Sequence, residues 1–219
     1  LPSTVTTTRS LLKLTVACNK MMHKMMGMAL LVVLPTFCLG FLADDIFDQA
    51  PKTVDKVDIE KYLGRWYQAY SNKNMEARFL KDAFCVHADY TLVNATTITV
   101  RNSNRRRSPT GPLGQIEGFG YKSESEGKLW IKLNNGRLNP SPFWILKLGP
   151  VINGQYQYAV SSDPLRFALF VLTRNPSEFY EKYNDEVLEF LKEQAFTNEG
   201  NKPQKSYQGD DCLYVEPQL

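Results

Sequence analysis

The sequence predicts an all-β protein, an eight-stranded antiparallel up-and-down β-barrel with one C-terminal α-helix packed on the barrel. The first observation is that runs of β-branched and aromatic residues recur at about ten-residue spacing, separated by Gly, Pro, Asn and Ser. The second is alternation: Leu129, Ile131 and Leu133 share one face of such a run, and Lys128 and Lys132 share the other. Eight strands without long crossovers close into a barrel whose interior can hold one small ligand.

The predicted strands follow one another with short connections. They are Arg65–Asn72, Cys85–Val93, Thr96–Asn102, Gly114–Lys122, Lys128–Asn134, Phe143–Leu148, Gln155–Ser161 and Phe167–Arg174. A helix follows the last strand, because Asn175 can cap its first turn, Pro176 suits the first helical position and Glu178 completes a capping box. Apolar residues then recur at helical spacing, so one face of this helix is expected to lie on the sheet.

Composition and charge exclude several classes of protein. Of the 219 residues, 43% are hydrophobic and 22% are charged, which excludes a collagen-like or disordered chain. The formal net charge is +3, but residues 1–43 hold four bases and no acid, so the remainder of the chain is near neutral. A nucleic-acid-binding domain keeps a concentrated basic face. Here the basic run Arg105–Arg107 stands alone, so no nucleic-acid partner is expected.

Residues 21–43 differ from the rest of the chain. They contain basic residues, then an apolar run, and then small residues that suit a cleavage site, which is the pattern of a secretory signal peptide. A membrane anchor is the alternative, but about 14 apolar residues interrupted by Pro35 fall short of the ~20 that span a bilayer. Residues 1–20 begin without Met and are interpreted as an untranslated or fragment artefact. Residues 44–219 form one predicted domain, and the protein is predicted to be secreted and extracellular.

Cysteine usage and one sequon fit a secreted chain. Without the signal peptide the chain keeps Cys85 and Cys212, which predict one disulfide, with two free thiols as the alternative. The sequon Asn94-Ala95-Thr96 predicts an N-linked glycan at Asn94, on a surface turn.

Five ordered segments carry a family resemblance. The segments are Asp58–Tyr67, Cys85–Leu92, Gln115–Gly118, Pro142–Leu146 and Val171–Pro176. The first contains a Gly-x-Trp opening, and together they resemble the lipocalin family, in particular its apolipoprotein D-like branch. The resemblance extends over about Asp55 to Cys212. It implies a ligand-binding barrel and no enzymatic activity.

The resemblance implies structural roles for three residues. Gly64 permits a tight turn into the first strand, and Trp66 is large enough to plug one end of the barrel. Arg174 ends the last strand and, like its lipocalin counterpart, is expected to stack its guanidinium on Trp66. These three residues are expected to stabilise the barrel rather than to contact a ligand.

The resemblance also implies a cavity lined by inward-facing side chains. With the strand parity of the family, the predicted lining residues are Ala88, Tyr90, Leu129, Ile131, Leu133, Trp144, Leu146 and Phe170. Such a lining suits a lipophilic small molecule: a fatty acid, lysolipid, retinoid, carotenoid, bilin or steroid. The alternative is that these side chains fill the barrel as a solid core, which leaves a secreted scaffold or matrix interaction protein.

The rim of the cavity is predicted from two loops. Phe79 lies in a long segment between the first two strands that could fold as a lid. Arg105, Arg106 and Arg107 lie between the third and fourth strands, where arginines can hold a carboxylate or phosphate headgroup. The alternative is a solvated charge run on a mobile loop.

Catalysis has little support in the sequence. Beyond the signal peptide His87 is the one histidine, so His-based zinc sites and Ser-His-Asp arrangements lack partners, and no metal or cofactor is expected. A cavity-thiol isomerase would require a free, reactive Cys85. The predicted partner is a small hydrophobic ligand bound by a monomer or weak oligomer, with peripheral membrane or lipoprotein contact left open.

Overall fold

The computed structural model describes residues 50–123, 127–136 and 138–217. The predicted signal peptide at 21–43 and the segment 1–20 lie outside the described residues and remain predictions, as does the start of the domain at residue 44. In the described ranges, no helix is long and apolar enough to cross a membrane.

Short helices flank and follow a series of strands. The strands are β1 (Gly64–Asn72), β2 (Ala83–Asn94), β3 (Thr97–Arg106), β4 (Leu113–Lys122), β5 (Lys128–Leu133), β6 (Ser141–Leu148), β7 (Val151–Ile152), β8 (Gln155–Tyr156), β9 (Tyr158–Ser162), β10 (Leu169–Thr173) and β11 (Pro203–Lys205). The helices are α1 (Ile59–Tyr62), α2 (Lys73–Arg78), α3 (Pro176–Lys182) and α4 (Asn184–Glu193).

Eight of these strands form a closed antiparallel barrel, which confirms the predicted fold class. Their order is β10-β9-β6-β5-β4-β3-β2-β1, and β10 also pairs with β1, so the sheet closes on itself. β11 pairs with β1 beyond the residues that pair with β2, and β7 and β8 form a separate hairpin. Because β1 and β10 pair with each other, the first and last barrel strands do not present exposed edges to each other's side of the sheet.

Two predicted elements are divided in the structure. The predicted strand Gln155–Ser161 becomes β8 and β9, because residues 155–156 pair with β7 rather than with the barrel. The predicted helix starts as expected, with the Asn175 Oδ1 atom accepting a hydrogen bond from the Glu178 backbone N–H at 3.2 Å. It is interrupted at Tyr183, whose φ of −120° is not helical, so two helices replace the predicted one.

Buried apolar residues form two clusters, one on each side of the barrel wall. The inner cluster comprises Val57, Tyr62, Trp66, Ala88, Tyr90, Ile98, Val100, Leu129, Phe143, Ile145, Ala159 and Leu172. The outer cluster comprises Ala69, Tyr70, Trp144, Leu146, Tyr158, Val160, Leu169, Val171, Phe179, Val187, Leu191 and Phe196. The outer cluster contains the apolar face of α3 and α4, so these helices pack on the outside of the barrel.

The prediction that Trp144 and Leu146 face the interior is wrong, because both belong to the outer cluster. The register of β6 with β9 shifts between Ile145 and Lys147, so strict alternation fails there. Such a β-bulge lets two successive residues lie on one side of the sheet. Lys147 does face outwards, where it forms an ion pair with Glu186 on α4. Because the bulge lies between Lys147 and Trp144, the outward orientation of Lys147 does not imply an inward orientation of Trp144.

The C-terminal tail returns across the barrel and completes its wall. β1 pairs with β2 over residues 64–67 and then with β11 over residues 70–72. The tail therefore fills the place where β1 and β2 diverge. The predicted disulfide between Cys85 and Cys212 is confirmed, and it fastens the end of the tail to β2.

A buried ion-pair network lies beneath the tail. Asp89 accepts hydrogen bonds from Arg65 at 2.6 Å and 2.9 Å and from Arg101 at 2.7 Å and 3.2 Å. Burial alone would raise the pKa of Asp89, but the bonds from Arg65 and Arg101 outweigh it and hold that pKa below the ordinary value. Both arginines also donate to backbone carbonyls of tail residues 215 and 216, so the network attaches the tail to the outer face of β1–β3.

Candidate functional site

One end of the barrel is closed by stacked side chains. The Trp66 side chain is fully buried, and its Nε1 atom donates to the Tyr62 carbonyl at 2.7 Å. The Arg174 guanidinium carbon lies 3.6 Å from the centre of the Trp66 ring, so the two side chains stack as predicted. Gly64 has a φ of +90°, a conformation that glycine adopts without strain.

Arg174 also binds the backbone of the segment that crosses the closed end. It donates to the carbonyls of Arg65 at 2.6 Å and Leu63 at 2.8 Å, and more weakly to residues 61, 62 and 156. Burial lowers the pKa of Arg174 to about 10, so the side chain stays charged at neutral pH. The structure therefore supports the structural roles of Gly64, Trp66 and Arg174 in sealing this end.

The inner wall is apolar along most of the strands. Of the predicted lining residues, Ala88, Tyr90 and Leu129 belong to the inner cluster. Ile131, Leu133 and Phe170 are half-buried and pack against it. Phe143 and Ile145 face inwards instead of Trp144 and Leu146. Phe143 pairs with Leu129, which was correctly predicted to face inwards, so the register of β5 with β6 indicates the inward face of β6.

Two tyrosines stack inside the barrel. The rings of Tyr62 and Tyr90 lie 5.6 Å apart, and burial raises the pKa of both phenols, so both remain neutral. Within the described part of the chain, the Tyr62 hydroxyl is buried and has no hydrogen-bond partner. A buried hydroxyl without a partner offers a donor and an acceptor to a bound molecule.

A polar stripe, which sequence reasoning missed, lies on the inner face of β3. Ile98 and Val100 belong to the inner cluster, and the register between β3 and β4 has no shift, so alternation places Asn102, Asn104 and Arg106 on the same face. The stripe runs from the apolar interior towards the loop that joins β3 to β4. The alternation of β3 was a sufficient signal, but the predicted strand ended at Asn102.

Gly114 shows how the end of this stripe is arranged. It pairs with Asn104, and a Cβ atom at Gly114 would lie 2.8 Å from both the Asn104 Oδ1 atom and the Arg106 Nε atom. The glycine therefore leaves room for both side chains to fold over the inner face of β4. Among the described residues the buried Asn104 Oδ1 atom has no hydrogen-bond partner. A ligand atom that donates a hydrogen bond would satisfy it.

The three arginines of the predicted rim have different surroundings. Arg105 points outwards, donates to the Leu213 carbonyl at 2.6 Å, and is therefore committed to the tail. Arg106 is exposed at the inner rim, and Arg107 follows β3 with a φ of +71°. Phe79 is exposed just after α2, in the segment between β1 and β2 where the lid is predicted. The rim set is thus reduced to Phe79, Arg106 and Arg107.

A cleft of about 260 Å³ opens at this end of the barrel, between β1, α2, β2 and the tail. Its lining combines apolar groups such as Leu80 and Phe84 with the polar side chains of Gln68 and Glu76. Gln68 pairs with Leu172, a member of the inner cluster, so the cleft borders the barrel interior. Sequence reasoning missed this cleft because the tail residues that form one side are more than a hundred positions away.

These features define a small eight-stranded barrel with one sealed end, an apolar inner wall and a polar rim. A family model described as Lipocalin-like domain matches residues 57–201. The chain therefore belongs to the lipocalin family.

Relatives within the family agree with the branch that the sequence resembles. Temperature-induced lipocalin-1 of Arabidopsis thaliana is 30% identical over 151 residues, which are 65% of this chain and 76% of that protein. Apolipoprotein D of Rattus norvegicus is 33% identical over 99 residues, which are 44% of this chain and 49% of that protein. The match thus spans about half the length of apolipoprotein D.

Solved structures show the same fold at low sequence identity. Apocrustacyanin C2 is 20% identical with a TM-score of 0.50, and the match covers 71% of this chain and 82% of that chain. The cockroach allergen Per a 4 is 18% identical with a TM-score of 0.51, and the match covers 74% of this chain and 97% of that chain. At these identities the likeness concerns the fold alone.

Proposed function

We propose that this lipocalin is a secreted carrier that binds a small hydrophobic ligand inside the barrel and at its open end. The observation that carries the proposal is the apolar inner wall formed by most of the strands, which extends from the seal formed by Trp66 and Arg174 towards the cleft. Binding then consists of burial: apolar ligand surface leaves water at roughly 25 cal/mol per Å², offset by the freedom lost on association.

Two polar features suit the polar end of such a ligand. At the rim, Arg106 can donate charge-assisted hydrogen bonds to a carboxylate or phosphate group, and Asn104 lies next to it. Deeper in the barrel, the Tyr62 hydroxyl can bond to a distal polar group. An amphipathic molecule with an acidic headgroup, such as a fatty acid or lysolipid, fits the rim best among the predicted ligand classes.

The secreted setting rests on the predicted signal peptide, the disulfide and the sequon. The isomerase alternative requires a free Cys85 thiol, and Cys85 is bonded to Cys212. The scaffold alternative draws on the stacked rings of Tyr62, Trp66 and Tyr90, which occupy the sealed half of the barrel. It differs from the carrier in one measurable respect, since a filled barrel has no ligand to displace.

The test is displacement of a fluorescent fatty-acid analogue by unlabelled lipids, with a variant that blocks the interior. Leu133→Trp adds volume to the inner wall and should abolish binding, whereas Leu165→Trp adds the same ring at an exposed loop position and should leave binding unchanged. Equal binding by both variants, or no binding by the unmodified protein to any lipid tested, would contradict the carrier function. Circular dichroism of each variant shows whether the barrel is folded.

A further inference from the structure

One row of residues on the outer face of the barrel links the sequon to two aromatic rings. Asn94 pairs with Thr97, Thr97 pairs with Tyr121, and Tyr121 pairs with Trp130 across strands β2 to β5. Residues directly opposite each other on neighbouring strands project from the same face. We refer to these four residues as the Asn94 row.

The Asn94 row faces away from the inner cluster. Ile98, which follows Thr97, and Leu129, which precedes Trp130, both belong to that cluster, so the row lies on the outside. α3 and α4 pack on the outer cluster, whose strand residues lie on β1, β6, β9 and β10. The row is therefore on a different part of the wall from the one that the helices cover.

Both aromatic rings of the row are exposed to solvent. Tyr121 keeps 36% of its accessible surface and Trp130 keeps 41%. Adjacent exposed aromatic rings on a soluble protein indicate a surface that another group covers. The position between them and Asn94 is occupied by Thr97, whose side chain is smaller than either ring.

We propose that the N-linked glycan of Asn94 lies along this row, over Thr97, and packs on Tyr121 and Trp130. Strands are about 4.8 Å apart, so Tyr121 lies roughly 10 Å and Trp130 roughly 14 Å from Asn94, within reach of the first sugars of the glycan. The C–H groups on a sugar ring carry partial positive charge, and aromatic faces are electron-rich, so the two surfaces attract each other.

The sequon turn supports this arrangement. The Asn94 Oδ1 atom accepts hydrogen bonds from the backbone N–H of Thr96 at 3.0 Å and from its hydroxyl at 3.1 Å. The amide oxygen is thereby fixed in the turn, and the amide nitrogen is the atom that carries the sugar. The proposal rests on the proposed secretion, but the rings point outwards, so it is independent of ligand binding inside the barrel.

Tryptophan fluorescence tests the proposal directly. The chain has three tryptophans, and Trp66 at 0% and Trp144 at 9% exposure are shielded, so quenching by acrylamide reports mainly on Trp130. In protein secreted by eukaryotic cells, removal of the glycan by a glycosidase should raise the quenching constant about twofold, because the glycan covers the exposed ring. Unchanged quenching, or an Asn94 peptide without a glycan in the secreted protein, would overturn the proposal.

Matched variants distinguish the effect of the glycan from the effect of the aromatic side chains. Thr96→Ala removes the sequon and keeps Asn94, so it should show the high quenching constant, whereas Thr96→Ser keeps the sequon and should show the low one. The stabilising effect of the glycan on Tm should disappear in Tyr121→Thr but persist in Leu165→Thr, because Leu165 is exposed in the loop between β9 and β10, away from the Asn94 row. Equal loss in both would contradict packing along the Asn94 row.

Other occupants of the row give different results. If the aromatic rings instead contact a lipid surface, phosphatidylserine vesicles should shift the emission of Trp130 in the glycosylated protein. If they contact a second copy of the chain, sedimentation should show a dimer that Trp130→Thr dissociates. Either result would overturn the proposal, and neither would affect the displacement assay that tests the carrier function.

Discussion

The two ends of the barrel use arginine in opposite ways. At the sealed end, Arg174 stacks on Trp66 at 3.6 Å and donates to several backbone carbonyls. At the open end, the described residues include no hydrogen-bond or ion-pair partner for the side chains of Arg106 and Arg107. The same residue type therefore serves stability where its donors are satisfied and remains available for a ligand where they are not.

The sealed end also has much less empty space than the open end. A cavity at the sealed end, lined by Ile59, Ile98 and Leu129 among others, has a volume of about 10 Å³, whereas the cleft at the open end measures about 260 Å³. A space of roughly 10–15 Å³ holds one water molecule. This difference in space predicts that the proposed ligand enters from the open end, and that substitutions of Trp66 and Arg174 at the sealed end affect folding rather than binding.

The largest effect is expected from the disulfide that holds the tail at the open end. A bridge between residues 127 positions apart contributes roughly 5 kcal/mol in the chain-entropy model. The double variant Cys85→Ala/Cys212→Ala should lose about that free energy of unfolding, measured by denaturation in guanidinium chloride. Reduction of the unmodified protein is the control and should give the same loss. A variant as stable as the oxidised protein would show that the tail is held by its other contacts alone.

At the sealed end, Arg174→Met should lower the free energy of unfolding by about 3 kcal/mol, because buried carbonyl groups lose their donor. Arg107→Met, in the exposed loop at the other end, should change it by less than about 0.5 kcal/mol. Denaturation curves of the two variants measure the difference. Similar losses would remove the distinction between the two ends.

At the open end, Arg106→Gln should weaken binding of palmitate about tenfold, since a charge-assisted hydrogen bond to the carboxylate is lost. Binding of hexadecanol, which has no charge, should not change. Arg105→Gln is the matched control, because Arg105 is bonded to the tail. Equal weakening for the acid and the alcohol would exclude Arg106 as the headgroup site.

The smallest effect is expected from pH, through His87 beneath the tail. Its ring lies edge-on to Tyr214, and burial lowers its pKa, so the folded state keeps it neutral. Below about pH 6.5 the unfolded state binds a proton that the folded state does not, and stability should therefore fall as the pH is lowered from 7 to 5. His87→Gln should flatten this part of the stability curve. An unchanged slope would assign the acid sensitivity to another group.

The sequence predicted the barrel because its information is local: strand runs, turn residues and the cap at Asn175 act over a few positions. It also predicted the stacking of Arg174 on Trp66 at the sealed end, because both residues match positions of the family pattern. It failed at Trp144 and Leu146, where a bulge changes which side chains face inwards, and a single sequence carries no clear mark of a bulge. The cleft was missed for a different reason, because long-range pairing of the tail with β1 creates it.

The measurement that tests the carrier function most directly is native mass spectrometry of the secreted, non-reduced protein from its source. A carrier should show a discrete additional mass of a few hundred daltons, on the scale of one drug-sized ligand, which is lost on gentle activation while the disulfide and the glycan remain. The absence of such a mass, followed by failure to take up any lipid of a test panel, would contradict the carrier function and favour a barrel filled by its own side chains.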